Sequence, residues 1–317
     1  MNFKRVAIFA ITFFILFILY YLFENPFGSR KKEGPLNLIP GFDKAKAASI
    51  LIKSPEKGEL NLKKEDKTWK VLSDNKTYVA DTSPVDKLLD TVEKMKAETI
   101  ASKNPKNFDS FEVTDGKGIE VKIDDASRKN LAHLYVGKSG PDIFSTYVRA
   151  KDSNRVILIS GILKNVFEKE LKDWRDKTIF KFDKENITEY KVEGDMNLHL
   201  KKDEKNIWQV VAPEAFPAKK ETVQETFSKF ASLKAVDFPE GDLSEFQLDK
   251  PARKIIAFLK DGSKKTLLVG KEKNTFQHFV KAKDKDTVFV LENHNLETLC
   301  PAVDKLKEEE KTDNATK

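Results

Sequence analysis

The sequence predicts an α+β protein: an N-terminal transmembrane helix, then two tandem copies of a mainly antiparallel β unit with two helices each. Three observations predict it. Residues 6–23, VAIFAITFFILFILYYLF, carry no charge. Residues 62–71 read LKKEDKTWKV and residues 200–210 read LKKDEKNIWQV, one phrase written twice. Each phrase is followed by an apolar stripe at helical spacing and, about 65 residues past its tryptophan, by a Gly-Lys pair, and such regular self-similarity marks a module repeated along the chain.

At 317 residues there is room for one large or two medium domains. The net charge of +6 is the difference between 57 basic and 51 acidic residues mixed along the chain. Mixed signs give a solvated surface and not a focused basic field. With no arginine-rich helix or RNA-binding aromatic signature, nucleic acid is not expected as a partner. The one cysteine, Cys300, excludes an internal disulfide and any zinc site needing two or more cysteines.

The apolar run at residues 6–23 is long enough, at about 1.5 Å per residue, to just span a hydrocarbon core of about 30 Å. Tyr20 and Tyr21 suit the headgroup interface. No small-x-small cleavage site follows, so an uncleaved signal anchor is expected over residues 1–24. No cysteine stands just after the run, which excludes lipoprotein processing. Lys4 and Arg5 before it place the N-terminus inside and the body across the membrane. Residues 25–46 hold Pro26, Gly28, Pro35, Pro40 and Gly41 among charges and read as a flexible linker.

Repeat one is expected over residues 47–177. It opens with a strand at residues 49–52 and a hairpin of residues 58–62 and 68–72, turning at residues 64–67. Ser83 is placed to cap a helix with Pro84 in its first position. Val85, Leu88, Leu89, Val92 and Met95 form that helix's apolar stripe. Residues 119–123 alternate as a half-buried strand should, and strands at residues 134–136, 147–150 and 156–159 continue the sheet. A short helix carries Leu163, Val166, Phe167 and Leu171. Residues 174–177 read as a hinge. Repeat two, residues 178–306, mirrors this order: strands at 187–192, 197–200 and 208–211, a stripe of Val223, Phe227, Phe230 and Leu233, strands at 255–259, 267–270, 279–282 and 288–291, and a closing helix with Leu296, Leu299, Val303 and Leu306. Residues 307–317 hold no large apolar side chain and are expected to be disordered.

Gly137-Lys138-Ser139 looks like the end of a phosphate-binding loop. Ala132 stands where that loop needs glycine, however, and Pro141 where a helix should begin. Gly270-Lys271 is followed by Glu272, whose charge repels phosphate. Both glycines therefore read as turn residues between strands. His133, His199, His278 and His294 make no helical pair with another histidine or a carboxylate, so no metal site is expected. His199, in a strand, is expected to face solvent. No nucleophile elbow is present. No catalytic, cofactor-binding or metal-binding residue is singled out, and neither an enzyme nor a cofactor is expected. The residues that stand out are a structural repeat signature, Trp69, Gly137, Trp208 and Gly270. Each tryptophan is expected to pack on its own repeat's helix before it stacks on a ligand. The lysine pairs Lys63-Lys64 and Lys201-Lys202 are neutralised by adjacent acids and read as solvated turns.

One series of short motifs carries a resemblance: Tyr78-Val79-Ala80-Asp81, Val85 with Leu88-Leu89, Phe111-Glu112-Val113, Val136-Gly137-Lys138, Tyr147-Val148-Arg149, and Trp174-Arg175-Asp176-Lys177. In this order they resemble the bacterial domain-of-unknown-function 4340 family, over residues 48–300. The resemblance implies a single-pass protein of the bacterial inner membrane with a periplasmic body. It also implies association with ABC-type export systems of the gliding-motility kind, and no known enzymatic activity. The family's Pro-Ala-Asp approach to the helix reads Val79-Ala80-Asp81 in repeat one and Pro217-Ala218-Lys219 in repeat two, so the acid can cap only the first. The expected function is a non-enzymatic, membrane-anchored interaction or scaffold module, with ABC transporter subunits as partners and the membrane engaged through residues 6–23. The alternative is an extracytoplasmic module that binds a small ligand or cell-wall polymer between the copies. Sheet edges left by each copy are expected to be open to a partner strand.

Overall fold

The computed structural model of the chain describes residues 12–18, 36–73 and 75–308. Of the predicted anchor, residues 12–18 form a helical segment, α1, with Phe13 and Phe14 exposed by 71% and 66%. The remainder of the anchor, the linker as far as residue 35, and the tail from residue 309 lie outside the described residues. Among the described residues no helix is long and apolar enough to cross a membrane. The end of the predicted linker is not a free tether. Its strand β1 (Leu36–Asn37) pairs with β6 (Lys96–Ala97), and Lys44 forms ion pairs with Asp90 and Glu93.

Repeat one continues through β2 (Ala47–Ser54), β3 (Gly58–Glu65), β4 (Thr68–Ser73), β5 (Lys76–Val79), α2 (Thr82–Glu93), β7 (Thr99–Ser102), β8 (Ile119–Asp125), β9 (Asn130–Ser139), β10 (Ser145–Ala150) and β11 (Val156–Ser160). The expected short helix is two separate turns, α3 (Lys164–Phe167) and α4 (Leu171–Trp174). Repeat two comprises β12 (Ile187–Gly194), β13 (Leu198–Lys202), β14 (Trp208–Ala212), β15 (Phe216–Pro217), α5 (Lys220–Ala231), β16 (Arg253–Leu259), β17 (Lys264–Asn274), β18 (Gln277–Ala282), β19 (Val288–Glu292) and α6 (Asn293–Leu299). Apart from the β1–β6 pair, the described strands form two antiparallel sheets. One has nine strands in the order β5-β4-β3-β2-β8-β9-β10-β11-β7, and the other eight in the order β15-β14-β13-β12-β16-β17-β18-β19.

Both sheets follow from period-two alternation. In β8, Ile119, Val121 and Ile123 are buried and the residues between them are not. In β19 every residue from Val288 to Leu291 is buried, because both faces are covered. Phe289 and Leu291 join the main core, where Tyr190, Ile255, Leu267 and Val280 meet Val223, Phe227 and Phe230 of α5. Val288 and Val290 join a smaller cluster with Phe246, Leu248 and Phe279. Repeat one builds the same small cluster from Phe108, Phe111, Val113, Tyr135, Tyr147 and Val156.

Helix entry follows the acid. Asp81, and not Ser83, caps α2 by accepting from the Ser83 amide at 2.9 Å, while Lys219 offers α5 no side-chain cap.

The described residues gather into two compact units, one holding those up to residue 59 with 86–168, the other 60–85 with those from residue 169. Within the second unit, residues 174–177 are a packed seam and not a hinge. Trp174 is fully buried, its carbonyl accepts from the Asp81 amide, and Arg175 stacks between Tyr78 and Phe238 at 3.8 and 3.6 Å from the ring centroids. This seam also occupies an expected sheet edge. Asp176 donates to the Val79 carbonyl, and the residue after β5, Ala80, bridges to Arg175. The outer edge of β19 is likewise taken at Val290 by Val236 and Asp237. β7 and β15 are too short to offer a long ladder, so strand addition from a partner has little free edge to use.

Cys300 follows α6 as its C-terminal cap. Burial pushes its thiol up to about 11, against the opposing pull of the Arg253 guanidinium. A raised thiol contributes stability that is complete below the unfolded value of about 8.5 and is lost as pH rises toward the folded one. In the native full-length chain Cys300 is therefore expected to resist iodoacetamide at neutral pH and to react fully on unfolding. Cys300→Ala should flatten the fall in denaturation midpoint between about pH 8 and pH 11.

Candidate functional site

The two signature glycines sit inside strands β9 and β17, not in turns. What they serve is a close approach. A Cβ on Gly137 would overlap the carbonyl oxygen of Phe111 and lie 2.8 Å from Cγ1 of Val113. A Cβ on Gly270 would overlap the carbonyl oxygen of Phe246 and lie 3.1 Å from Cγ of Leu248. Each glycine lets the same loop lie on its strand. In both loops the residue after the phenylalanine is left-handed, Glu112 at φ 58° and Gln247 at φ 54°. Each phenylalanine also meets an equivalent ring: Phe111 with Tyr147 at 4.6 Å and Phe246 with Phe279 at 4.5 Å. The Lys271 amide donates to the Phe246 carbonyl at 2.9 Å, so it serves the loop and not a phosphate.

The two signature tryptophans have diverged. Trp69 lies opposite Lys64 and is 4% exposed, whereas Trp208, opposite Lys202, is half-buried. As expected, Trp208 packs on its own helix, edge-on to Phe227 at 4.8 Å.

A feature the sequence reading missed lies at equivalent hairpin tips. Phe144 ends the β9–β10 turn and Phe276 ends the β17–β18 turn, and they are 65% and 76% exposed. The hairpins share their register: Ser139 pairs with Thr146 and Val136 with Val148, as Glu272 pairs with His278 and Val269 with Val280. Each exposed phenylalanine is held by its backbone. The Phe144 carbonyl accepts from the Gly161 amide, just past β11. The Phe276 carbonyl accepts from the Asn293 amide, just past β19, at 2.8 Å, and its own amide donates to Asn274 Oδ1 at 2.9 Å. In repeat one Ile143, 69% exposed, adds to the apolar tip. The signal was present as Phe-Ser-Thr-Tyr-Val-Arg-Ala against Phe-Gln-His-Phe-Val-Lys-Ala.

The polar clusters are cross-strand and architectural. His199 does not face solvent freely; it pairs with Glu189 at 2.8 Å, as His133 does with Glu120 at 2.7 Å. A hydrogen bond from Lys191 holds the Glu189 carboxyl below the usual range. Buried Arg149 lies over Phe108 and Tyr135 at 4.4 and 4.6 Å from their ring centroids. It donates to the carbonyls of Val113 at 3.0 Å and Lys151 at 2.7 Å. Among the described residues no group of three or more His, Cys, Asp or Glu is arranged to hold a metal ion.

Compared with known proteins, the chain matches no curated protein and no solved structure. One family model does match, in two adjacent segments, residues 69–207 and 208–310, as the duplicated strands, loops and hairpins require. The chain is thus a tandem-repeat member of the family described as Domain of unknown function (DUF4340).

Proposed function

We propose that the protein is a non-enzymatic, membrane-anchored envelope protein that acts as an interaction module, an accessory to an ABC transporter. Residues 6–23 anchor it by a single pass in the bacterial inner membrane, with the body on the extracytoplasmic side. The observation that carries the reading is the pair of exposed, backbone-held phenylalanines, Phe144 and Phe276, at equivalent tips of the two repeats. One exposed apolar side chain is ordinary, but an aromatic repeated at the equivalent tip of both copies, with Ile143 widening the first into a small patch, is a feature of the module. A backbone already fixed loses little entropy on docking. Burying one phenylalanine side chain contributes about 1.5–3 kcal/mol. An anchor that confines the body to the membrane of its partner raises the effective concentration of both.

The test is recovery of ABC transporter subunits with the tagged full-length chain, purified in mild detergent from alkali-washed membranes. Phe144→Ser with Phe276→Ser is expected to lower that recovery about tenfold, the loss of one modest hot spot or more. Because both side chains are exposed, the unfolding free energy should change by no more than about 0.5 kcal/mol. Recovery unchanged by the double substitution, or absence of the chain from washed membranes, overturns the reading.

A further inference from the structure

Repeat two holds a cavity beside Trp208. Its volume is about 340 Å³, at the small end of ligand pockets. Trp208, Phe227, Ile187 and Val223 supply its apolar lining, and three lysines, Lys184, Lys202 and Lys220, line it against one acid, Glu185.

Its origin is legible in the two phrases. The turn before Trp208 is one residue longer than the turn before Trp69, and the extra length puts half-exposed Ile207 at the mouth. In repeat one the tryptophan is closed over at 4% exposure. In repeat two the indole is fixed on one side by Phe227 and presents its remaining surface to the cavity. The lysine across the strand pair keeps its place over the ring in both copies, at 5.9 Å for Lys64 and 5.4 Å for Lys202. Lys184 donates one hydrogen bond to Ser228 Oγ at 2.9 Å, which leaves an ammonium with further donors to spend.

We infer that this cavity is a binding site for a small planar acid, a one- or two-ring aromatic body carrying a carboxylate. The ring lies against Trp208 and Phe227. The carboxylate meets Lys202 and Lys220, where hydrogen bonds to a charged donor are stronger than neutral ones. A bare inorganic anion would leave the apolar half of the lining uncovered, and a neutral ring would leave the amines unanswered. The site lies wholly in repeat two and is independent of the hairpin tips.

The probe is para-nitrobenzoate, a quencher of indole emission, titrated into the full-length chain in mild detergent beside para-nitrobenzamide and para-nitrobenzylamine. Trp69 and Trp174 are 4% and 0% exposed, so quenching reports on Trp208. Saturable quenching by the benzoate is expected, with the amide and the amine at least about tenfold weaker, the worth of one charge-assisted contact. Lys202→Gln with Lys220→Gln should bring the benzoate down to the level of the amide while leaving the amide unchanged. Trp208→Phe should abolish the quenching, with the denaturation midpoint confirming a folded chain. Equal affinity for the three probes, no saturable quenching, quenching that survives Trp208→Phe, or no response to the lysine substitutions overturns the inference.

Discussion

Gly137→Ala and Gly270→Ala are each expected to destabilise the chain by about 3 kcal/mol, the upper range for overpacking a close-fitted site. The methyl group has nowhere to go. In each case it would overlap the carbonyl oxygen of a phenylalanine whose loop is held down by its own hydrogen bonds and by a ring pair. Relief requires lifting that loop, which uncovers Val113 in one repeat and Leu248 in the other. Gly262→Ala separates this effect from backbone strain. Gly262 has φ +80° but open space around its Cβ position, so its substitution should cost only about 1 kcal/mol. Denaturant midpoints of the three variants check the order. A Gly137→Ala chain no less stable than Gly262→Ala would mean that the loop yields freely.

Arg149→Met is the second large effect, a loss of about 2–3 kcal/mol. Four carbonyls lose this donor, those of Val113 and Lys151 at short range and those of Ala150 and Ser153 at longer range, and two rings lose the guanidinium that lies over them. Against this, the buried charge is itself disfavoured: burial lowers the Arg149 pKa from its ordinary value, and methionine removes that penalty. The unpaired carbonyls decide the sign, because a stranded buried acceptor costs more than the pair contributed. Repeat two places Lys281 opposite Leu268 where repeat one places Arg149 opposite Tyr135. Tyr135→Leu with Arg149→Lys should therefore lose less than Arg149→Met, measured by the same midpoints.

Much of the fold was legible because it rests on local pattern. The alternation of β8 and the stripes of α2 and α5 gave strands and helices directly, and the repeated tryptophan phrase gave the duplication. Long-range partners were not legible. Gly137 reads as a turn residue until Phe111, far back in the chain, is brought against it. The short edge strands β7 and β15 carry too few residues for a period to show. Residues 174–177 read as a hinge because their burial depends on Tyr78 and Phe238. The cavity beside Trp208 turns on one extra residue in a hairpin, and an insertion says nothing about the space it opens. Phe144 and Phe276 fall just outside the strands expected at residues 147–150 and 279–282; their exposure appears only when the hairpins are placed.

A photo-crosslinking amino acid placed at position 144, at position 276 and at the exposed control position Leu243 would test the interaction surface in living cells. The expected result is an adduct with the same ABC transporter subunit from positions 144 and 276, identified by mass spectrometry, and none from position 243. No adduct from either tip, different partners from the two tips, or an equal yield from position 243 would contradict it.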